Sequence, residues 1–268
     1  MRDRLNYQTT GDPKRPALLL VHGFLSSNAQ WQPNLDLLGE HFFVVLAELW
    51  GHGDSPLPAD DSDFTIPRYV AEFEHIRSEL NLGCWGVVGQ SYAAGLAINY
   101  AIAHPERVTG LVVTNSRSAF GDIATARKEK ARRNQIAASN LTEKQKNNRH
   151  MPIHPIYAKR LPAEVKARLV ACADNMTEEA INKGGLIRRT LNSESLIDSI
   201  TPPFMIANGI YEKSFQVDLD RLKTGRPGLK VVDMQGGHAV NIEAADEFNA
   251  TMIQFFLNSC KKTARHAR

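Results

Sequence analysis

The sequence predicts an α/β fold, a mostly parallel sheet flanked by helices. Short continuous apolar runs at residues 17–21, 42–47, 84–88 and 108–115 are bounded by turn residues, as strands buried on both faces are. Segments with helical spacing lie between them, and strand–helix alternation implies right-handed crossovers with helices on both faces of the sheet. The length of 268 residues with 43% hydrophobic residues suits one α/β domain carrying an insertion.

Each element has its local reason. Gly11-Asp12-Pro13-Lys14-Arg15-Pro16 is turn-like and leads into Ala17-Leu18-Leu19-Leu20-Val21, the first expected strand, which ends in His22-Gly23-Phe24. Residues 31–38 read as a helix, and residues 42–47 as a second buried strand followed by Gly51-His52-Gly53-Asp54-Ser55. Val70, Phe73, Ile76 and Leu80 recur at helical spacing over residues 66–80. The strand at 84–88 opens into a helix from Ala94, and the strand at 108–115 follows. From 115 to 200 no strand-like run occurs; residues 124–138, 162–172 and 177–182 favour helix, with turns expected at Asn147-Asn148 and Gly184-Gly185. Strand-like material returns at 203–209 and 229–234, and residues 244–258 form an expected final helix with Phe248, Met252, Phe255 and Phe256 on one face.

The stretch Gly89-Gln90-Ser91-Tyr92-Ala93 marks a sharp strand-to-helix turn. Such a turn lifts its central residue above the sheet in a strained backbone conformation, and small neighbours are required where strand and helix cross. Ser91 is then a nucleophile, with Gly89 and Ala93 as the small neighbours. The alternative is that Ser91 simply caps an ordinary crossover helix. Near the end of the chain, His238 stands behind Gly236-Gly237, directly after the last strand.

Taken together, His22-Gly23-Phe24, Gly51-His52-Gly53-Asp54-Ser55, Gly89-Gln90-Ser91 and Gly236-Gly237-His238 resemble the α/β-hydrolase fold superfamily, in order and spacing, over residues 17–120 and 200–258. The resemblance implies a core of residues 1–115 and 201–268 with a helical cap inserted at 116–200. It implies a triad in the chain order serine, acid, histidine: Ser91, Glu212 and His238. The acid is usually the last residue of Gly-x-x-Asp, and here Gly209-Ile210-Tyr211-Glu212 carries glutamate, with Asp218 and Asp220 as alternatives. It also implies an oxyanion hole from the backbone N–H groups of Phe24 and Tyr92, with the Tyr92 ring toward the pocket. Phe120, Ile153, Tyr157 and Tyr211 are candidate pocket residues, and Leu186 a further one; cap core is the competing role for those within the insertion. Members of the fold that attack with aspartate, the dehalogenases and epoxide hydrolases, are set aside by Ser91.

The expected activity is therefore hydrolysis of a small or medium carboxylic ester through an acyl-enzyme. A C–C bond hydrolase, a thioesterase or a lyase using the same triad is the alternative, and a non-catalytic ligand receptor on the same fold is a further one, motivated by Ala93 and by glutamate in place of aspartate. The formal charge of +3 points to neither nucleic acid nor membrane as a partner. Residues 115–200 nonetheless hold 16 Lys and Arg against 9 Asp and Glu, with Arg127, Lys128, Lys130, Arg132 and Arg133 clustered. That cluster reads as a solvated helix face or as an attractor for an anionic substrate. His22 and His52 are flanked by glycine with no third ligand at metal spacing, and Gly51-His52-Gly53 lacks the third glycine of a dinucleotide loop, so no metal and no cofactor are expected. Cys84, Cys172 and Cys260 are odd in number and far apart, which favours a reducing, cytoplasmic setting, and no apolar run has signal-peptide or membrane-spanning length.

Overall fold

A computed structural model describes residues 3–60, 63–121, 149 and 151–266, with side chains to residue 260. Among these, β1 (Tyr7–Thr10), β2 (Ala17–Val21), β3 (Phe43–Ala47), β4 (Trp85–Gly89), β5 (Val108–Thr114), β6 (Phe204–Gly209) and β7 (Val231–Met234) form one sheet in the order β1-β3-β2-β4-β5-β6-β7. All neighbours pair in parallel except β1, which runs antiparallel to β3 with Tyr7 opposite Ala47. The sequence gives β1 little signal: Tyr-Gln-Thr-Thr is a half-exposed edge strand without an apolar run.

Alternation along the strands divides the core between two layers. Leu19, Val21, Val45, Ala47, Val87, Leu111, Val113 and Ile206 belong to one cluster, with α2 (Ile66–Glu79) and α3 (Tyr92–Ala103) covering that face. Leu18, Leu20, Val44, Leu46, Val88, Val112, Met205 and Ala207 belong to the other, covered by α1 (Gln32–Gly39) and the C-terminal helix. Burying both faces is what makes the strands read as unbroken apolar runs.

After β5 the chain forms α4 (Arg117–Phe120), α5 (Ala163–Asn175) and α6 (Glu178–Ile187) before β6; α7 (Lys213–Gly225), α8 (Val240–Glu243) and α9 (Ala245–His266) follow. Gly184-Gly185, expected as a turn, lies inside α6, because tertiary contacts override the weak helix propensity of glycine. The expected helix at 124–138, the turn at Asn147-Asn148 and the basic cluster around Arg127 to Arg133 lie outside the described residues. Among the described residues no helix is long and apolar enough to cross a membrane.

The loops after β2, β3, β4, β5, β6 and β7 all leave one edge of the sheet, where ligands bind in open α/β folds. One buried carboxylate organises two of them. Glu48, 4% exposed, accepts hydrogen bonds from the backbone N–H groups of Asn28 and Asp54, at 3.2 and 2.8 Å, and from Asn6 Nδ2 at 3.0 Å. Glu48→Ala leaves these donors without their acceptor and is expected to lower unfolding stability by about 3 kcal/mol or more, read from a urea midpoint at unchanged slope. An unchanged midpoint would show that the loops do not depend on it.

Candidate active site

β4 ends at Gly89 and α3 begins at Tyr92, so Ser91 stands at the turn between them. Its φ of 51° and ψ of −109° are strained for a residue with a side chain. The capping alternative requires the Ser91 hydroxyl to accept from the helix's first turn, and it makes no such bond. The strand and helix cross so closely that a Cβ on Gly89 would come within 2.5 Å of Ala93 O and 2.8 Å of Ala97 Cβ. Ala93, fully buried, fits the same crossing.

Neighbouring strands hold this turn. Thr114 Oγ1, at the end of β5, accepts from Ser91 N at 3.2 Å, and Ser116 Oγ donates to Ser91 O at 2.6 Å. Between them, Asn115 accepts from Gly209 N at 2.8 Å and donates to Gly209 O at 2.9 Å, fixing the end of β6. No carboxylate stands in this triplet, and none of its residues is among the candidate site residues of the sequence. Its signal was three polar residues in a row at the C-terminal end of a wholly buried strand.

Glu212 lies three residues beyond β6, and its Oε2 accepts from His238 Nδ1 at 2.9 Å. Asp218, the alternative acid, is instead buried on α7 and engaged by Arg117 and Arg221 at 3.4 and 3.6 Å. The His238 backbone is tied to the elbow, because Gln90 Nε2 donates to His238 O at 3.0 Å, and Glu243 accepts from Gly237 N at 2.9 Å. Burial works to lower the His238 pKa, but the hydrogen bond and charge of Glu212 and the charge of Glu243 outweigh it and hold the imidazole above its ordinary value. The side chain keeps 42% of its surface exposed, so its desolvation is incomplete and the carboxylates prevail. With Nδ1–H directed at Glu212, the neutral ring keeps a lone pair on Nε2.

His22 and His52 build the loop after β2. His22 Nδ1 donates to Gly23 O at 2.7 Å and Nε2 accepts from Leu49 N at 3.1 Å; His52 Nδ1 donates to Trp50 O at 2.9 Å and Nε2 accepts from Leu25 N at 3.3 Å. Burial drives their pKa values down to about 4 and about 3, so both rings stay neutral and keep these roles at physiological pH. Gly23 N donates to Gln30 Oε1 at 3.3 Å. The amides on either side of Phe24 are thus engaged within the loop. Tyr92 N, at the first position of α3, has no intrahelical acceptor.

Ser91, Glu212 and His238 line one cleft of about 450 Å³, a volume suited to a small ligand. Phe24, Ile153, Tyr157 and Tyr211 line it too, with Leu161, Leu169 and Ile242 adding apolar surface and Lys159 and Arg160 adding charge. The Arg160 guanidinium stacks 4.6 Å above the Tyr211 ring. Phe120 is placed differently: it is fully buried in the main core, with Phe215 at 6.4 Å between ring centres. The short helix carrying it turns that side chain beneath α7 and away from the cleft. The Tyr92 ring, 3% exposed, is also in the core, stacked on Phe24, and Leu186 faces solvent. Among the described residues no cluster of His, Cys, Asp and Glu is arranged to hold a metal ion.

Residues 16–245 match the sequence model of a family described as alpha/beta hydrolase fold. The chain is 25% identical over 263 residues to a Serratia proteamaculans protein assigned as the carbamate hydrolase RutD, covering 92% of this chain and 93% of that one. It is 30% identical over 121 residues to epoxide hydrolase 3 of Xenopus tropicalis, a match spanning 44% of this chain and only 33% of that longer protein. A carboxylesterase crystal structure from Nitrososphaera gargenis superposes with a TM-score of 0.77 at 18% identity, covering 96% of both chains, a likeness of fold.

A histidine whose pKa is raised in the folded state stabilises the fold fully below its unfolded value and loses that contribution as pH rises through the folded value. His238 is expected to titrate above 6.5 in an NMR pH series, and to move down in Glu212→Gln, where the hydrogen-bond partner loses its charge. Identical titrations in the two proteins would mean that Glu212 does not govern this imidazole.

Proposed function

Because the chain belongs to the alpha/beta hydrolase fold family, we propose that it is a serine hydrolase that cleaves a small or medium carboxylic ester through an acyl-enzyme. The observation that carries this reading is the strained serine at the β4–α3 turn, in the same cleft as a histidine bonded to a carboxylate. Within the reading, residues 1–115 and 201–268 are the catalytic core and residues 116–200 are a cap whose described part walls the cleft.

His238 Nε2 accepts the proton of Ser91 as Oγ attacks the ester carbonyl, and Glu212 holds the ring in the tautomer that permits this. The oxyanion takes hydrogen bonds from Phe24 N–H and Tyr92 N–H, each worth on the order of 3 kcal/mol in the transition state. His238 then gives its proton to the leaving alkoxide, and a water molecule, activated by the same imidazole, releases the acid. Deacylation is also what separates this chemistry from that of the epoxide hydrolase relatives. A serine opening an epoxide would leave an ether, with no carbonyl for water to attack, whereas a carbonyl substrate leaves a hydrolysable ester on Ser91. The similarity to a protein assigned as a carbamate hydrolase favours one second substrate class, a carbamate, which the same oxyanion hole and triad accommodate.

Ser91→Ala is expected to lower kcat for a p-nitrophenyl ester by roughly 10 000-fold or more while the protein stays folded. Initial rates on a matched ester, acyl thioester, carbamate and vinylogous 1,5-diketone are expected to be highest for the ester. Undiminished turnover in the variant would overturn the serine mechanism, and a faster rate on another member of the set would reassign the substrate.

A further inference from the structure

The two residues proposed to supply the oxyanion N–H groups, Phe24 in the loop after β2 and Tyr92 at the start of α3, come from different parts of the core, yet both side chains converge on one residue of the segment between β5 and β6. That residue is Gly184, buried in the interior of α6. Its carbonyl accepts from Tyr92 Oη at 3.2 Å, and the space its side chain would fill is taken by Phe24: a Cβ there would lie 2.4 Å from Phe24 Cε2 and 3.1 Å from Cζ. The Phe24 ring borders the cleft and is packed against two rings of the core. It stacks on Tyr92 at 5.4 Å with planes 25° apart, and meets His52 edge-on at 5.3 Å, a histidine itself held by Trp50 O and Leu25 N. Burial raises the Tyr92 phenol pKa, so its O–H remains a donor.

A helix-interior glycine is about 1 kcal/mol worse than alanine, so its contact with Phe24 offsets a local penalty. The neighbouring Gly185 makes the comparison within the same helix: a Cβ there meets nothing within 4 Å.

We infer that Gly184 is a positioning residue for both oxyanion donors, so that α6 sets the geometry of the oxyanion hole as well as covering the site. This rests on the serine-hydrolase reading above. A methyl group at Gly184 pushes the Phe24 ring against Tyr92 and His52, and the displacement reaches the Phe24 backbone N–H and the stacked first residue of α3. Substrate contacts made elsewhere in the cleft are untouched, so the loss falls on the transition state and not on ground-state binding.

The test compares Gly184→Ala with Gly185→Ala, using kcat and KM for a p-nitrophenyl ester and the inhibition constant of a trifluoromethyl ketone, which forms a tetrahedral adduct with an active serine. Removing a whole oxyanion donor costs about 100-fold to 1000-fold, so displacement in Gly184→Ala is expected to cost kcat about tenfold or more with KM unchanged. The ketone should weaken in parallel. Gly185→Ala should match the wild type in both. Adding Phe24→Leu to Gly184→Ala makes room for the methyl group and should restore part of kcat.

Wild-type kcat in Gly184→Ala, or an equal loss in Gly185→Ala, would overturn the inference and leave the serine mechanism standing. A wild-type protein that turns over no ester and does not bind the ketone would overturn both. If Gly184→Ala does not fold, Tyr92→Phe decides, since Gly184 O keeps Arg188 N as a donor at 3.0 Å and no carbonyl is orphaned. There, lower kcat at constant KM supports the inference and wild-type kcat contradicts it.

Discussion

The site depends on one constrained residue. Ser91 is held at φ 51°, a conformation that costs a side-chain-bearing residue about 1–3 kcal/mol and persists only when its surroundings over-determine it. Here they do. Thr114 and Ser116 take both backbone groups of Ser91, the close crossing at Gly89 leaves the chain no other path, and buried strands flank β4 on either side. Asn115, between those two residues, bonds both backbone groups of Gly209, three residues before Glu212. The backbone that shapes Ser91 and the backbone that presents Glu212 are therefore fixed from the same strand end.

The histidines at this edge of the sheet are shifted in opposite directions. Buried beside one another, 5.2 Å apart, His22 and His52 are driven neutral and act as fixed donors and acceptors for the loop of Phe24. His238, open to the cleft and facing two carboxylates, is shifted the other way. The contrast follows from burial and charge: burial outweighs the charge of Glu48 at His52 and meets no carboxylate at His22, whereas partial exposure beside Glu212 and Glu243 raises the pKa of His238.

Much of this was legible in the residues because the signals were local. Apolar runs such as Leu18-Leu19-Leu20-Val21 announce strands buried on both faces, and the small residues around Ser91 announce a tight crossing. The pairing of His238 with Glu212 is what the family resemblance implies, and the two side chains meet on loops that follow parallel strands at one edge of the sheet. What the sequence hid were features decided by tertiary contact. Gly184-Gly185 has the composition of a turn, and the Phe24 ring lying against Gly184 explains that glycine inside a helix. Phe120 has the composition of a pocket residue, and only the packing of Arg117–Phe120 beneath α7 sends it to the core. The edge strand at Tyr7–Thr10 has no apolar pattern because none of its four residues is buried.

The central claim, that Ser91 is an activated nucleophile, is tested most directly by covalent labelling. A fluorophosphonate reacts with a serine whose proton is taken by a neighbouring base and whose phosphoryl oxygen finds an oxyanion hole. Mass spectrometry of the labelled, digested protein is predicted to show one adduct per chain, on the peptide containing Ser91, with the rate strongly reduced in His238→Ala. An unlabelled Ser91, or labelling that proceeds equally without His238, would contradict the account.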